Sequence, residues 1–428
     1  MKNKVNSVSR IFAYLSLFVA FFYIFFWEYK IVLSAWLWLS MVCFFSLVSI
    51  ICSGQIQFKK TSWLLLLLLL FNIIGIIFTP ADFASALKWC LSLLAVFSFG
   101  AMLTIIIIDI KRIVFIALVP CLFFVVGIFL NVLNPSLILK INSLTLKGGS
   151  LESFVELTSY GYYPGFSGFT VVSGFFSGAA SIIFLTISFS KKGFRKVIYL
   201  LLCLLAFAAA VFTQKRSIVI AVPISIFLII LMRKIYDKSF KSLISFLAIT
   251  AVLAIAGYIV LTRTDSGKLM LNRFLNSDDV TSGRLDIYEL IVNDWSDYFI
   301  FGNGPSSTMA TFDTEAHNIY LQVFYENGVI GLFILLLFFS YNLFLVLKSC
   351  KNDFEKNKVL NYLLTSSFGI QLLFIIYGFF GNCLTDTYFW LLYIIFATIP
   401  FAKKKENGVK QYVDSLKVYS KNQRALGT

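Results

Sequence analysis

Charged residues are scarce in this sequence. Only 13% of its 428 residues are Asp, Glu, Lys or Arg, whereas 59% are hydrophobic and the mean hydropathy is +0.87. Soluble domains carry about a quarter charged residues, because their surfaces face water. The composition therefore excludes an ordinary soluble protein with a large water-exposed catalytic domain, and it predicts a polytopic membrane protein.

Residues that build metal and nucleotide sites are also scarce. His317 is the only histidine, and the seven cysteines are scattered without a C-x-x-C pair. A His-rich metal site is thus excluded, and neither a disulfide framework nor a metal cluster is predicted. The chain has no Walker loop, no G-x-S-x-G motif and no H-E-x-x-H motif. We expect no metal and no cofactor, and the missing motifs are consistent with that expectation.

Apolar runs of the length that crosses a bilayer recur twelve times along the chain. They occupy about residues 10–27, 31–52, 62–79, 83–108, 113–133, 168–189, 196–213, 217–232, 243–262, 329–347, 360–380 and 384–400. This pattern predicts an all-α polytopic membrane protein with twelve transmembrane helices, built as a single integral-membrane domain over residues 1–428.

Lysine and arginine are distributed unevenly between the two sides of this arrangement. Of the 36 basic residues, 26 fall on one side and nine on the other, and Lys88 lies inside the fourth run. Because positively charged loops stay in the cytoplasm, both termini are predicted to be cytoplasmic. The net charge of +15 then reflects orientation, and we do not expect nucleic-acid binding. The basic tail, 401–428, is interpreted as an anionic-lipid contact or a disordered end.

Two segments on the outer side, 134–168 and 263–328, are too long for tight connections, and we expect function to lie there. In the second, residues 284–298 have the pattern of an amphipathic helix. Its apolar face, Leu285, Tyr288, Ile291 and Trp295, either rests on the membrane surface or packs against the spans, and we favour packing. A sharp turn is predicted at Gly302-Asn303-Gly304-Pro305.

His317 lies where a helix is predicted to begin. Asp313 or Thr314 is a candidate N-cap, the helix continues over 319–326, and Asn327-Gly328 ends it. A helix N-terminus favours the neutral imidazole, which can accept a proton near neutral pH. Two interpretations remain open: a functional base, or a histidine that only forms hydrogen bonds at a loop–helix junction.

Cations on the outer side are the second candidate site. Lys215 and Arg216 lie between two predicted spans, Arg284 lies in the long segment, and Lys88 is near the outer end of its span. They either gather an anion, for which arginine offers a bidentate phosphate contact, or extend to the membrane interface.

Three motifs in order carry a resemblance to a known family. Residues 212–221 (FTQKRSIVIA) resemble the Thr-x-x-Arg stretch of the O-antigen polymerase and ligase superfamily. Residues 282–306 are similar to its Gly-Arg and Gly-x-Gly-Pro block. Residues 316–332 (AHNIYLQVFYENGVIGL) resemble its His-Asn-x-x-Leu-Gln and Glu-x-Gly motif. Two positions depart from the pattern: Lys215 replaces a small residue, and Tyr288 replaces a frequent tryptophan.

The resemblance implies a GT-C-like membrane glycosyltransferase that faces the periplasm from the bacterial inner membrane. Arg216 and Arg284, with Lys215, would bind the donor pyrophosphate, and His317 would sit at the reacting centre. Asn318, Lys88 and Glu326 would support them. The implied partners are undecaprenyl-pyrophosphate-linked glycans as donor and acceptor, the lipid bilayer and a chain-length regulator protein.

Within this superfamily the motif style favours an O-antigen polymerase over an O-antigen ligase, which transfers the finished chain to lipid A-core. A non-enzymatic transporter of lipid-linked oligosaccharides is the interpretation from another class. Transporters usually show two similar halves and charges inside their spans, whereas here one large loop occurs late in the chain and charges within spans are few.

Overall fold

The computed structural model describes residues 7–32, 34–54, 58–106, 109–237, 284–293, 295–353, 358–381 and 383–401, together with isolated positions between 238 and 283. Regular structure in these residues is α-helical, apart from an isolated β-bridge between Tyr29 and Leu146. The predicted all-α polytopic class is therefore confirmed. The basic tail and most of residues 263–283 lie outside the described residues.

The helices follow one another along the chain with short connections. They are α1 (Ser7–Phe26), α2 (Ala35–Ser53), α3 (Lys60–Gly75), α4 (Phe83–Ile105), α5 (Ile110–Leu133), α6 (Pro135–Thr145), α7 (Gly148–Ser159), α8 (Thr170–Ser190), α9 (Phe194–Phe212), α10 (Arg216–Asp237), α11 (Arg284–Asn293), α12 (Trp295–Tyr298), α13 (Ser307–Phe312), α14 (Ile319–Asp353), α15 (Lys358–Tyr377) and α16 (Thr387–Ala397).

Membrane-crossing helices agree with the predicted runs wherever both can be compared. Among the described residues nine helices are long and apolar enough to cross a membrane, and two shorter apolar helices, Lys60–Gly75 and Thr387–Phe401, accompany them. The predicted span at 243–262 lies largely outside the described residues. The number of crossings and the orientation therefore stay predictions.

The interior of the bundle is formed by α8 and α16. Every residue of α16 and most of α8 are buried. Helix α8 packs against α5, α9, α10 and α15, while α16 packs against α4 and α15. Small residues allow the close approach, since a Cβ at Gly178 would come within 3.0 Å of Val222 in α10. Peripheral helices expose large apolar side chains such as Phe18, Phe44 and Phe115, which in a bilayer would face lipid.

The segment 134–168, predicted to lie on the outer side, is not an open loop but contains two helices, α6 and α7. Hydrogen bonds join it to the connection after α1. Lys30 N donates to Thr145 O at 2.8 Å, and Lys147 N donates to Glu28 O at 3.0 Å. The Tyr29 hydroxyl donates to Phe166 O at 2.8 Å. The buried Glu28 carboxylate accepts a hydrogen bond from Ser167 Oγ at 2.6 Å. These contacts hold the segment against the end of the bundle.

Candidate active site

The chain reaches His317 through a bent segment. Asp313 and His317 both have φ of 52°, and α14 begins only at Ile319. The helix is capped by Asn318, whose Oδ1 accepts hydrogen bonds from Tyr320 N at 3.0 Å and Leu321 N at 3.2 Å. The predicted cap at Asp313 or Thr314 is therefore wrong. His317 precedes the cap, in a backbone conformation that costs about 1 kcal/mol or more for a non-glycine residue.

His317 is surrounded by positive charge. Burial, then Arg284, then Lys215 lower the pKa of its imidazole to about 4, because each disfavours the protonated ring. The imidazole is thus neutral at pH 7, the state that the sequence predicted. The physical cause is burial and two cations rather than the dipole of a helix N-terminus.

Arg284 opens α11 beside His317. Its Nη1 donates a hydrogen bond to Phe380 O at 2.8 Å, which connects α11 to the segment after α15. Tyr288, one turn further on, lies near the same guanidinium and is hydrogen-bonded to Asn318, and its pKa is raised chiefly by burial. The start of α11 therefore packs directly on the start of α14.

The predicted apolar face of residues 284–298 forms only in part. Ile291 and Tyr298 are buried and cluster with Tyr325 of α14. Leu285 and Trp295 are exposed, so the prediction that they pack against the spans is wrong.

Lys215 ends the turn between α9 and α10, and Arg216 begins α10. Lys215 is the second cation that lowers the pKa of His317, and it acts in the same way on Asp386. Arg216 is the next residue and the first of α10; both side chains are partly buried. The structure thus brings Lys215 and Arg284 to His317, with Arg216 adjacent to Lys215 in the chain.

Lys88 lies in the second turn of α4 and is exposed. It lowers the pKa of Glu315, which burial raises, and Glu315 also accepts a hydrogen bond from Thr385 Oγ1 at 2.7 Å. Lys88 therefore belongs to the same end of the bundle, but its charge acts on a carboxylate two residues before His317.

Two acidic residues of this site, Glu315 and Asp386, were missed in the sequence. Burial, then Glu315, raise the pKa of Asp386 to about 8, and its carboxyl is hydrogen-bonded to Tyr388. A signal existed, because Asp386 is a lone acidic residue within the apolar stretch 383–397, and isolated charges in such stretches are often functional.

Glu326, predicted to support the site, lies behind it. Its buried carboxylate accepts hydrogen bonds from Thr308 Oγ1 and from Gln322 Nε2, the latter at 3.0 Å. It thereby joins α13 to α14, immediately before the backbone break at Gly328, where φ is 63° and ψ −169°. The predicted interruption at Asn327-Gly328 is confirmed, and the contacts of Glu326 give it a structural role.

The predicted turn at 302–305 is confirmed and clamps this break. Asn303 N donates to Tyr325 O at 2.9 Å, Gly304 N donates to Glu326 O at 2.8 Å, and Val329 N donates to Phe299 O at 2.7 Å. The break would leave backbone groups of α14 without partners. Phe299 O accepts from the Val329 amide, and the carbonyls of Tyr325 and Glu326 accept from the turn amides. The turn therefore fixes the position of the break inside α14.

Most residues of this site fall within one segment that matches a known family. Residues 201–336 match the family model described as O-antigen ligase. This match supports the O-antigen polymerase and ligase superfamily. The superfamily that the motifs resemble is thereby confirmed, over about a third of the chain. No curated protein matches the chain.

The matched O-antigen ligase domain runs from α9 into α14 and contains Lys215, Arg216, Arg284 and His317. Lys88 and Asp386 reach the same end of the bundle from outside it, on α4 and just before α16. The match indicates a glycosyltransferase-like enzyme, and the apolar helices indicate an integral membrane protein. Within the described residues no group of three or more His, Cys, Asp or Glu side chains could hold a metal ion. The arrangement of cations around a neutral imidazole is suited to an anionic substrate and a proton transfer.

Proposed function

We propose that the protein is an O-antigen polymerase. It transfers a growing glycan from undecaprenyl pyrophosphate to a non-reducing-end hydroxyl of a lipid-linked repeat unit, at the periplasmic face of the bacterial inner membrane. The observation that carries the proposal is the neutral His317 flanked by Arg284 and Lys215 at one end of a membrane-embedded bundle. A base beside cations is what this reaction requires.

The reaction consists of one substitution at the anomeric carbon of the donor. The acceptor hydroxyl oxygen forms a bond to that carbon, the bond from the carbon to the pyrophosphate oxygen breaks, and its electron pair leaves with undecaprenyl pyrophosphate. The hydroxyl proton passes to the free nitrogen lone pair of His317. A base whose pKa is about 4 accepts this proton as the new carbon–oxygen bond forms, when the hydroxyl becomes strongly acidic.

Cations assist the departure of the pyrophosphate. Arg284, Arg216 and Lys215 supply positive charge where negative charge grows on the leaving group, an effect worth about a hundredfold to a thousandfold in rate for each well-placed donor. Proton transfer to a positioned base contributes a similar factor of about a hundredfold to ten-thousandfold. The polyprenyl tail stays in lipid beside the exposed apolar faces of the bundle.

The ligase reaction is the competing proposal, because the matching family model is described by that activity. Purified protein is incubated with a polyprenyl-pyrophosphate repeat unit and no second acceptor. A ladder of longer lipid-linked chains supports the polymerase. Products that form only after lipid A-core is added mean a ligase, and no covalent product under either condition favours a transporter.

Site variants test the assignment of residues. We expect His317→Ala, Arg216→Ala and Arg284→Ala each to abolish glycan transfer without lowering the amount of protein in the membrane. Lys140→Ala is the matched control, since Lys140 is an exposed cation of α6 on the same predicted side. Wild-type transfer by His317→Ala would remove the proposed base.

A further inference from the structure

Gln214 has an unusual conformation in the turn between α9 and α10. Its φ is 54°, in the left-handed region, and its side chain is only 3% exposed. A glutamine pays about 1–2 kcal/mol for this backbone conformation. Strain of this kind persists only where surrounding contacts impose it, and such positions concentrate at functional sites.

A side-chain hydrogen bond of Gln214 reaches the segment 134–168. Gln214 Nε2 donates a hydrogen bond to Gly161 O at 2.8 Å. Gly161 has φ of 77° and closes the end of α7, where its amide donates to Thr158 O at 3.0 Å and the Tyr162 amide donates to Leu157 O at 3.0 Å. The amide of Gln214 therefore joins the turn before α10 to a well-formed helix end 53 residues earlier in the chain.

The residue after Gln214 is the cation that acts on His317. The Lys215 amide donates to Thr213 Oγ1 at 3.4 Å, so the direction of the Lys215 side chain follows the conformation of this turn. The charged groups that act on the imidazole are Arg284 from α11 and Lys215 from the turn. Glu315, two residues before His317, and Lys215 both act on Asp386, just before α16.

We propose that Gln214 is a positioning residue, which holds Lys215 beside His317 by bonding the carbonyl of Gly161. The end of α7 thereby becomes part of the active site, although it supplies no group to the reaction. The catalytic meaning of this contact rests on the proposed function, but the geometric effect does not. Lys215 helps to keep His317 neutral only while the turn is held in place.

The single histidine makes the proposal measurable without substrate. Protein that carries no polyhistidine tag and is labelled with ¹³C at the histidine ring gives one imidazole signal, whose chemical shift against pH reports the pKa of His317 directly. Lys215→Met removes the charge and keeps the bulk, and it should raise this pKa from about 4 toward the ordinary 6.5, by about one pH unit. Gln214→Gly should raise it in the same direction, because Lys215 moves away.

Glycine is the informative substitution because it adopts a positive φ without strain. The variant therefore removes the side-chain hydrogen bond, while the backbone can still adopt the conformation of the turn. In the double variant Gln214→Gly/Lys215→Met the pKa should equal that of Lys215→Met alone. A further increase in the double variant would mean that Gln214 acts by general loosening, and would overturn the proposal. Ser159→Ala is the control, since it removes an exposed hydrogen bond of α7 to Glu156 O and should leave the pKa unchanged.

Gln214→Asn provides a second variant if the glycine protein does not fold. Asparagine also tolerates the left-handed region, but its shorter amide cannot span the distance to Gly161, so the same increase is expected. An unchanged pKa in both Gln214 variants, with an increase in Lys215→Met, would refute the positioning role. An inactive wild-type protein in the transfer assay would refute the proposed function alone, because the titration uses no substrate.

Discussion

Gly302→Ala tests how the turn at 302–305 sets the position of α14. Gly302 has φ of 76°, and a Cβ added there would lie closer than 3.0 Å to backbone atoms of Glu326 and Asn327. Backbone atoms cannot move aside as a flexible side chain can. Alanine in the left-handed region costs about 1–2 kcal/mol, and forcing an extra methyl group into a packed contact costs about 1–3 kcal/mol. We expect a loss of about 2–5 kcal/mol in the free energy of unfolding.

Buried thiols give the assay. A dye that becomes fluorescent on reaction with cysteine reports thermal unfolding, because six of the seven free cysteines are buried: Cys43, Cys90, Cys121, Cys203, Cys350 and Cys383. The midpoint of unfolding should fall by several degrees in Gly302→Ala. Glycan transfer should fall as well, since the helix that follows His317 would be displaced.

The matched control is Gly149→Ala. Gly149 lies in the first turn of α7, and a Cβ added there would meet no atom within 4 Å. Alanine stabilises a helix relative to glycine by about 1 kcal/mol, so the midpoint should stay the same or rise slightly. If Gly302→Ala unfolds at the same temperature as Gly149→Ala, the turn does not bear on α14 as its contacts indicate, and the reasoning is refuted.

Three further outcomes are expected. Burial, Arg284 and Lys215 lower the pKa of His317 to about 4. Therefore kcat/KM for transfer should stay constant from pH 7 down to about pH 5 and fall only near pH 4. A decrease in kcat/KM centred near the ordinary pKa of 6.5 would contradict a neutral buried base. Asn72→Leu removes the acceptor of both Trp89 Nε1 and Asn327 Nδ2, each at 3.1 Å, and should lower the free energy of unfolding by about 1–3 kcal/mol for each stranded donor, measured as a lower midpoint with the thiol dye. Arg284→Lys keeps the charge but loses the forked guanidinium, which allows one side chain to bond Phe380 O and a phosphate at the same time. We expect kcat/KM to fall at least about tenfold with the amount of protein unchanged. Wild-type activity of the lysine variant would show that charge alone suffices.

Much of the fold was predictable because the bilayer imposes a simple rule. A helix that crosses lipid must be about twenty apolar residues long, and the described apolar helices accordingly coincide with the predicted runs. The interruption of α14 at Gly328 was predictable for an equally local reason, since Asn-Gly disfavours a continuing helix. Short polar segments obey no such rule, and the helices α6 and α7 were expected only as a loop.

The candidate site was predicted unevenly. Lys215, Arg284 and His317 could be chosen because cations on the outer side and a lone histidine are visible in composition and order. Asp386 and Glu315 could not be connected to His317, because their association depends on which helices pack together. The cap of α14 was misplaced for a similar reason: the Ile319 amide bonds Gly378 O at 2.8 Å, and a contact between α14 and the end of α15 has no trace in the local pattern.

The sequence by itself determined that this protein lies in a membrane, that it is helical, and which few polar groups were available for chemistry. These properties follow from the free energy of single segments in lipid, which depends on composition and spacing alone. Only the tertiary structure decided the ionisation of those groups. The proton affinity of His317 is set by burial and then by Arg284 and Lys215, residues 33 and 102 positions away in the chain. Electrostatic energy depends on distance in space and on burial rather than on separation in sequence.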